Sequence, residues 1–131
     1  MSVSPLPGVV LFVANVDRVA SFYKAVASMQ LVSGDRDHAV LEVDGFQLVV
    51  HQMKGEPEPG HDTQGGVQIR EDSYSKICLP VQSIHSARSQ AASFGGSIRP
   101  AQFEWQALGF RACDGHDPEG NVIQVREGAY A

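Results

Sequence analysis

The chain has 131 residues, of which 43% are hydrophobic and 19% charged, with a formal net charge of −5. That is enough apolar chain for one domain with a core of its own, and it excludes a disordered, collagen-like or disulfide-stapled polypeptide. The balance of 10 Lys+Arg against 15 Asp+Glu argues against a surface that tracks nucleic-acid phosphates and against a basic helix lying on a membrane.

The opening MSVSPLPG has neither the basic nor the apolar region of a signal peptide. The apolar run at 9–14 is far shorter than a membrane span. Cys78 and Cys113 lack zinc-motif spacing and read as reduced thiols of a cytoplasmic protein.

In chain order, VVLFV at 9–13 reads as a strand. Asn15 is an N-cap, and Val16, Val19, Ala20, Tyr23 and Val26 then recur at helical spacing, which predicts a helix over 16–29. A short strand begins at Leu31, a turn follows at 34–37, and HAVLEV at 38–43 alternates as a strand. Asp44-Gly45 is a hairpin signal, with FQLVVHQ at 46–52 as the returning strand. The stretch 54–66, rich in Gly and Pro, reads as a linker.

A second unit repeats the order. KICLPV at 76–81 is a strand, and Ser83 caps a helix with Ile84, Ala87, Ala91 and Phe94 on one face, stopped by Gly95-Gly96. Strand signals follow at 97–99, 108–113 and 121–126, with Asp117-Pro118-Glu119-Gly120 as a turn before the last. Val13 matches Val81 and Gly45 matches Gly120, so the second unit carries seven more residues, placed in the 100–108 connection. The fold class expected is α+β. One domain over 1–131 would hold two βαβββ modules, at 7–52 and 73–128, joined by a linker at 53–72.

VxNVxxVxxFY at 13–23, LPVxSI at 79–84, Gly109 with Arg111, and above all DPEGNVIQV at 117–125 give the chain a resemblance to the vicinal oxygen chelate superfamily. Glyoxalases, bleomycin-resistance proteins and extradiol dioxygenases belong to it. The resemblance spans roughly residues 7–128 and implies a curled mixed sheet around a cleft with helices outside, and a homodimer. Strand alternation then points Val9, Leu11, Val13, Leu48, Val50, Ile77, Leu79, Val81, Ile123 and Val125 at the helices. Val10, Phe12, Gln47, Val49, His51, Lys76, Cys78, Pro80, Val122, Gln124 and Arg126 would face the cleft.

Metal-dependent members of that superfamily place one ligand on each of four strands. By alignment the four places fall on Gly8, Val49, Lys76 and Gln124. Gly8 and Val49 have no donor atom and Lys76 is a cation, so no metal and no cofactor are expected. A displaced site on His51 and Gln124 would have only two ligands.

The candidate ligand-binding residues are Lys76, Arg126, Arg111, His51, Gln124, Phe12 and Trp105. The cations would meet an anionic group, with Glu42 as an internal competitor for Lys76. Phe12 and Trp105 would wall a planar ligand. The run Asp114-Gly115-His116-Asp117 reads as turn chemistry. No nucleophile elbow, phosphate loop or dinucleotide fingerprint occurs.

The leading expectation is a metal-independent protein that binds a small anionic or aromatic organic molecule, with neither nucleic acid nor membrane as partner. The alternatives are a lyase, isomerase or dioxygenase with a non-standard metal site, and a non-catalytic protein-interaction module. The catalytic residues, if any, are not legible.

Overall fold

The computed structural model describes residues 5–54 and 66–128, which form nine strands and two α-helices. In the first module β1 (Gly8–Val13), α1 (Val16–Ala27), β2 (Gln30–Gly34), β3 (His38–Val43) and β4 (Phe46–Gln52) build a sheet ordered β1-β4-β3-β2. β1 runs parallel to β4 and the other neighbours are antiparallel. The Asn15 side chain accepts from the Arg18 backbone N–H at 3.0 Å and starts α1. The helix ends at Ala27, two residues sooner than its periodicity suggests, because Ser28 turns to a φ of +53°. Asp44 and Gly45 both have positive φ, the backbone that a two-residue hairpin of the right twist requires.

The second module repeats the plan. It comprises β5 (Ile77–Val81), α2 (Ile84–Ser93), β6 (Ser97–Ile98), β7 (Trp105–Ala107), β8 (Phe110–His116) and β9 (Val122–Gly128). The order is β5-β9-β8-β6, with β7 also on β8. The cross-strand partners Leu31 and Leu41 lie ten residues apart, whereas Ile98 and Gly115, their counterparts, lie seventeen apart. The seven extra residues therefore fall between β6 and β8, where a single 3-10 turn at Ala101–Phe103 interrupts the strand. Arg88 of α2 holds this insertion, donating to the Arg99 carbonyl at 2.8 Å and to Glu104 at 2.6 Å.

Two further boundaries differ from the sequence expectation. Leu108 and Gly109 form the β7–β8 turn, with Gly109 at φ +86°, rather than starting a strand. β8 runs on to His116, so Asp114 and His116 are strand residues and the turn begins only at Asp117. The linker expected at 53–72 falls mostly on residues 55–65, outside those described.

The side chains sort by strand face. Val13, Leu48, Val50, Leu79, Ile123 and Val125 are fully buried beneath the helices, in one cluster with the inner faces of α1 and α2. On the opposite face Val10 and Phe12 are 52% and 55% exposed.

DPEGN at 117–121 joins the two modules. The buried Glu119 carboxylate accepts from the Ala14 and Asn15 backbone N–H groups, each at 2.8 Å, and so caps α1 from the other module. Asp117 accepts from the Tyr23 hydroxyl at 2.8 Å and from Asn121 and the Glu119 N–H. Burial pushes the Asp117 carboxyl up, and burial with the charge of Asp117 holds the Tyr23 hydroxyl well up. Gly120, at φ +82°, lies against the Gln68 carbonyl where a Cβ would collide.

Candidate functional site

The open face of the second sheet carries a linked set of polar side chains. Lys76, just before β5, places Nζ 3.1 Å from Asp114 Oδ2 on β8. The other Asp114 oxygen accepts from Gln124 Nε2 of β9 at 3.3 Å. Gln124 Oε1 in turn accepts from Arg126 Nε at 2.7 Å, and the Arg126 guanidinium lies 4.5 Å over the Phe110 ring. Lys76 and Arg126 are thus joined through an acid and an amide. Along the strand the Pro80–Arg126 pair lies four residues beyond Lys76.

A cavity of about 620 Å³ opens at the Lys76 end. Asp114, His116, Ser97 and Val122 line it from the sheet, Arg99 and Pro100 from the insertion, and Ile69, Glu71, Ser73, Tyr74 and Ser75 from the approach to β5. His116 lies directly across from both Ser97 and Val122. Its Nδ1 sits 2.8 Å from the Asp117 carbonyl. A carbonyl only accepts, so Nδ1 bears the proton and Nε2 is the bare nitrogen of the neutral ring.

The remaining sequence candidates separate from this set. Arg111 is on the helix side of β8, in register with Gln106 and Glu127, and Nε pairs with Glu104 at 3.3 Å. It braces the insertion together with Arg88 and does not face the cleft. Trp105 shares a cross-strand row with Ala112 and Arg126, on the open face but outside the cavity walls.

Phe12 and His51 lie on the open face of the first sheet, their rings 5.7 Å apart, with His38 on the far side of His51 at 6.2 Å. His51 Nδ1 is held by the Gln52 carbonyl at 2.9 Å. Glu42 also belongs to the first sheet, where it accepts from Gln47 at 3.2 Å, so the partner of Lys76 is Asp114 and not Glu42. Cys113 is buried, and burial pushes its thiol up, away from nucleophilic use.

Asp114, His116 and Ser97 are the functional candidates that sequence reasoning passed over. The signal for Asp114 and His116 was present as alternation outward from Ala112, but it required β8 to continue through an Asp-Gly-His-Asp run that resembles a turn.

The four places where the sequence resemblance would put metal ligands are Gly8, Val49, Lys76 and Gln124, and the side chains present there do not suit a metal. Lys76 is paired as a cation, and the Gln124 oxygen, its one ligating atom, is taken by Arg126. His51 stands on the first sheet and Gln124 on the second. Among the described residues no group of three or more His, Cys, Asp or Glu side chains is placed to hold a metal.

No family model matches the sequence, nor does any curated protein. Solved structures do match. An integron cassette protein from the mobile metagenome of V. cholerae is similar at 25% identity and a TM-score of 0.61, over 97% of each chain. A glyoxalase/bleomycin resistance protein from Albidiferax ferrireducens is similar at 15% identity and a TM-score of 0.65, over 95% of this chain and 98% of that one. The genomically encoded fosfomycin resistance protein FosX from Listeria monocytogenes matches at 13% identity and a TM-score of 0.64, over 98% and 96%. The chain therefore has the fold of the glyoxalase/bleomycin resistance proteins, built of two βαβββ modules.

Proposed function

We propose that this protein binds a small polar organic molecule without a metal, in the cavity floored by the second sheet. The observation that carries the reading is the state of the ligand places. Two have no donor atom, and the other two are committed to an internal network running from Lys76 through Asp114 and Gln124 to Arg126. A cavity of about 620 Å³ suits a small organic ligand. The fosfomycin and bleomycin resistance proteins of the same fold are named for small molecules, which agrees with the reading. No helix among the described residues is long and apolar enough to cross a membrane. Two unbridged thiols, one of them exposed, suit a reducing cytoplasm.

We further propose a homodimer, in which a second copy covers the exposed first-sheet face around Val10 and Phe12. Light scattering should give the mass of two chains. A one-chain mass at micromolar concentration refutes the dimer without touching the binding site.

The binding reading is tested by metal analysis of protein purified without added metal, followed by a melting-temperature screen of small organic molecules. Less than one-tenth of a metal ion per chain and a saturable rise in melting temperature with at least one compound are expected. Lys76→Met should weaken that compound by about 1.5–3 kcal/mol, the scale of a hydrogen bond to a charged group. One tightly held divalent ion per chain, or a ligand indifferent to Lys76→Met, overturns the reading.

A further inference from the structure

We propose that the cavity selects an α-amino-acid-type zwitterion, with the ligand carboxylate on Lys76 and its ammonium on Asp114. This rests on the reading of the cavity as the small-molecule site, and it names the class of ligand. Three observations carry it.

The charged side chains lining the cavity balance. Glu71 and Asp114 stand against Lys76 and Arg99, so the cavity has no excess of either sign. The pair at its floor is already closed, with Lys76 Nζ and Asp114 Oδ2 3.1 Å apart and each side chain about one-third exposed. A simple anion brought to Lys76 meets the Asp114 carboxylate beside it, and a simple cation brought to Asp114 meets the ammonium. Attraction and repulsion then largely offset.

A ligand whose own ammonium and carboxylate are separated by one carbon can lie antiparallel to the pair. It gives each protein charge a second partner of opposite sign and each ligand charge one. The internal pair stays neutral overall, and no buried charge is left alone.

The second observation is preorganisation. Gln124 Nε2 holds Asp114 Oδ1 and is itself anchored through Oε1 by Arg126. The oxygen that faces Lys76 is thereby fixed in place without the ligand.

The third is the acceptor beyond the pair. His116, one pleat along β8 from Asp114, has Nδ1 held by the Asp117 carbonyl, and among the described residues Nε2 has no hydrogen-bond partner. With the Ser97 hydroxyl on the neighbouring strand it meets whatever projects from the ligand's α-carbon. An acceptor nitrogen and a hydroxyl favour a side chain that carries an O–H or N–H donor.

The experiment is an amide NMR titration of the full chain with the standard α-amino acids. Each amino acid that binds is then compared with its decarboxylated amine and its deaminated acid. The expected result is saturable shifts at Lys76, Asp114 and His116 for at least one amino acid, with both counterparts weaker by about tenfold or more. Asp114→Asn should turn the preference toward the acid, and Lys76→Met toward the amine, while the spectra show both variants folded.

An acid that binds as tightly as its parent amino acid overturns the zwitterion and leaves a small-anion site. So does an amino-acid preference unchanged in Asp114→Asn. Failure of every amino acid while other small molecules shift the same amides overturns this inference alone. Failure of every small molecule at these amides removes both the inference and the binding reading beneath it.

Discussion

Changing Glu119 to Gln tests the joint between the two modules. The Glu119 carboxylate is 1% exposed and takes two backbone donors of the α1 entry, Ala14 N–H and Asn15 N–H, one on each oxygen. Glutamine keeps the shape and one acceptor, but turns an NH2 toward the second donor. The loss is one hydrogen bond to a charged group, about 1.5–3 kcal/mol, and one buried N–H is left unpaired, about 1–3 kcal/mol. The favourable placement of a negative charge at a helix N-terminus, about 0.3–1 kcal/mol, goes as well. Allowing for relaxation toward Arg18, 3.8 Å from the same carboxylate, the net cost should be about 3–4 kcal/mol.

At about 2.1 cal/mol/K of unfolding entropy per residue, that cost lowers the melting temperature of this chain by about 11–15 °C. Thermal melts followed by circular dichroism read it directly. Glu127→Gln is the internal control. Glu127 gives α2 a single bond, to the Ile84 N–H at 2.7 Å, from a partly exposed position, and its loss should cost about 1 kcal/mol. A Glu119→Gln protein melting within about 2 °C of the parent, or Glu127→Gln proving the costlier change, would refute the assignment of DPEGN as the joint.

Three further outcomes follow from the same geometry. The folded state holds the Tyr23 proton above its ordinary value near 10, so the parent should keep full stability below about pH 10 and lose it as pH rises further. In Tyr23→Phe that alkaline slope should shrink, and urea midpoints between pH 8 and 11 give the comparison. Gly120→Ala should cost about 1–3 kcal/mol in the same assay, since its Cβ meets the Gln68 carbonyl at a φ that L residues rarely adopt; an unchanged midpoint contradicts that packing. Arg88→Ala leaves Glu104 with Arg111 alone and takes from the Arg99 carbonyl its guanidinium donor, so hydrogen exchange should quicken at the Phe103 and Glu104 amides while the β5–β9 pairing keeps its protection.

The architecture was legible because its signals are local and repeat. Asn15 and Ser83 each cap a helix through a side-chain oxygen, and Asp44-Gly45 makes its hairpin with the backbone its residue types favour. The seven-residue difference between the modules also lay where the offsets put it. The site was less legible because its pairings join strands that are neighbours in the sheet and distant in the chain. Arg111 shows the difficulty. Its spacing from Gly109 says that a cation follows a turn, but the side it takes is set by where the β7–β8 turn closes, at Leu108 and Gly109. One residue of register carries Arg111 from the cleft to the helix side, where Glu104 waits.

The duplication lets the two open faces be compared row by row. In the first sheet the middle row of the open face reads Val10, Val49, Val40 across β1, β4 and β3. The equivalent row of the second sheet reads Cys78, Gln124, Asp114 across β5, β9 and β8. The two rows occupy matching places on the same scaffold, one apolar and one polar, and the cavity draws its described walls from the second sheet and its approaches. An apolar row left open gains by being covered, whereas a polar row left open can exchange its internal partners for those of a ligand. Lys76 appears in the sequence as an unpaired cation only while Asp114 is assigned to a turn. Once β8 is seen to run to His116, the charge is paired, and under the proposed reading the cavity would select its ligand by the arrangement of charges and not by their sum.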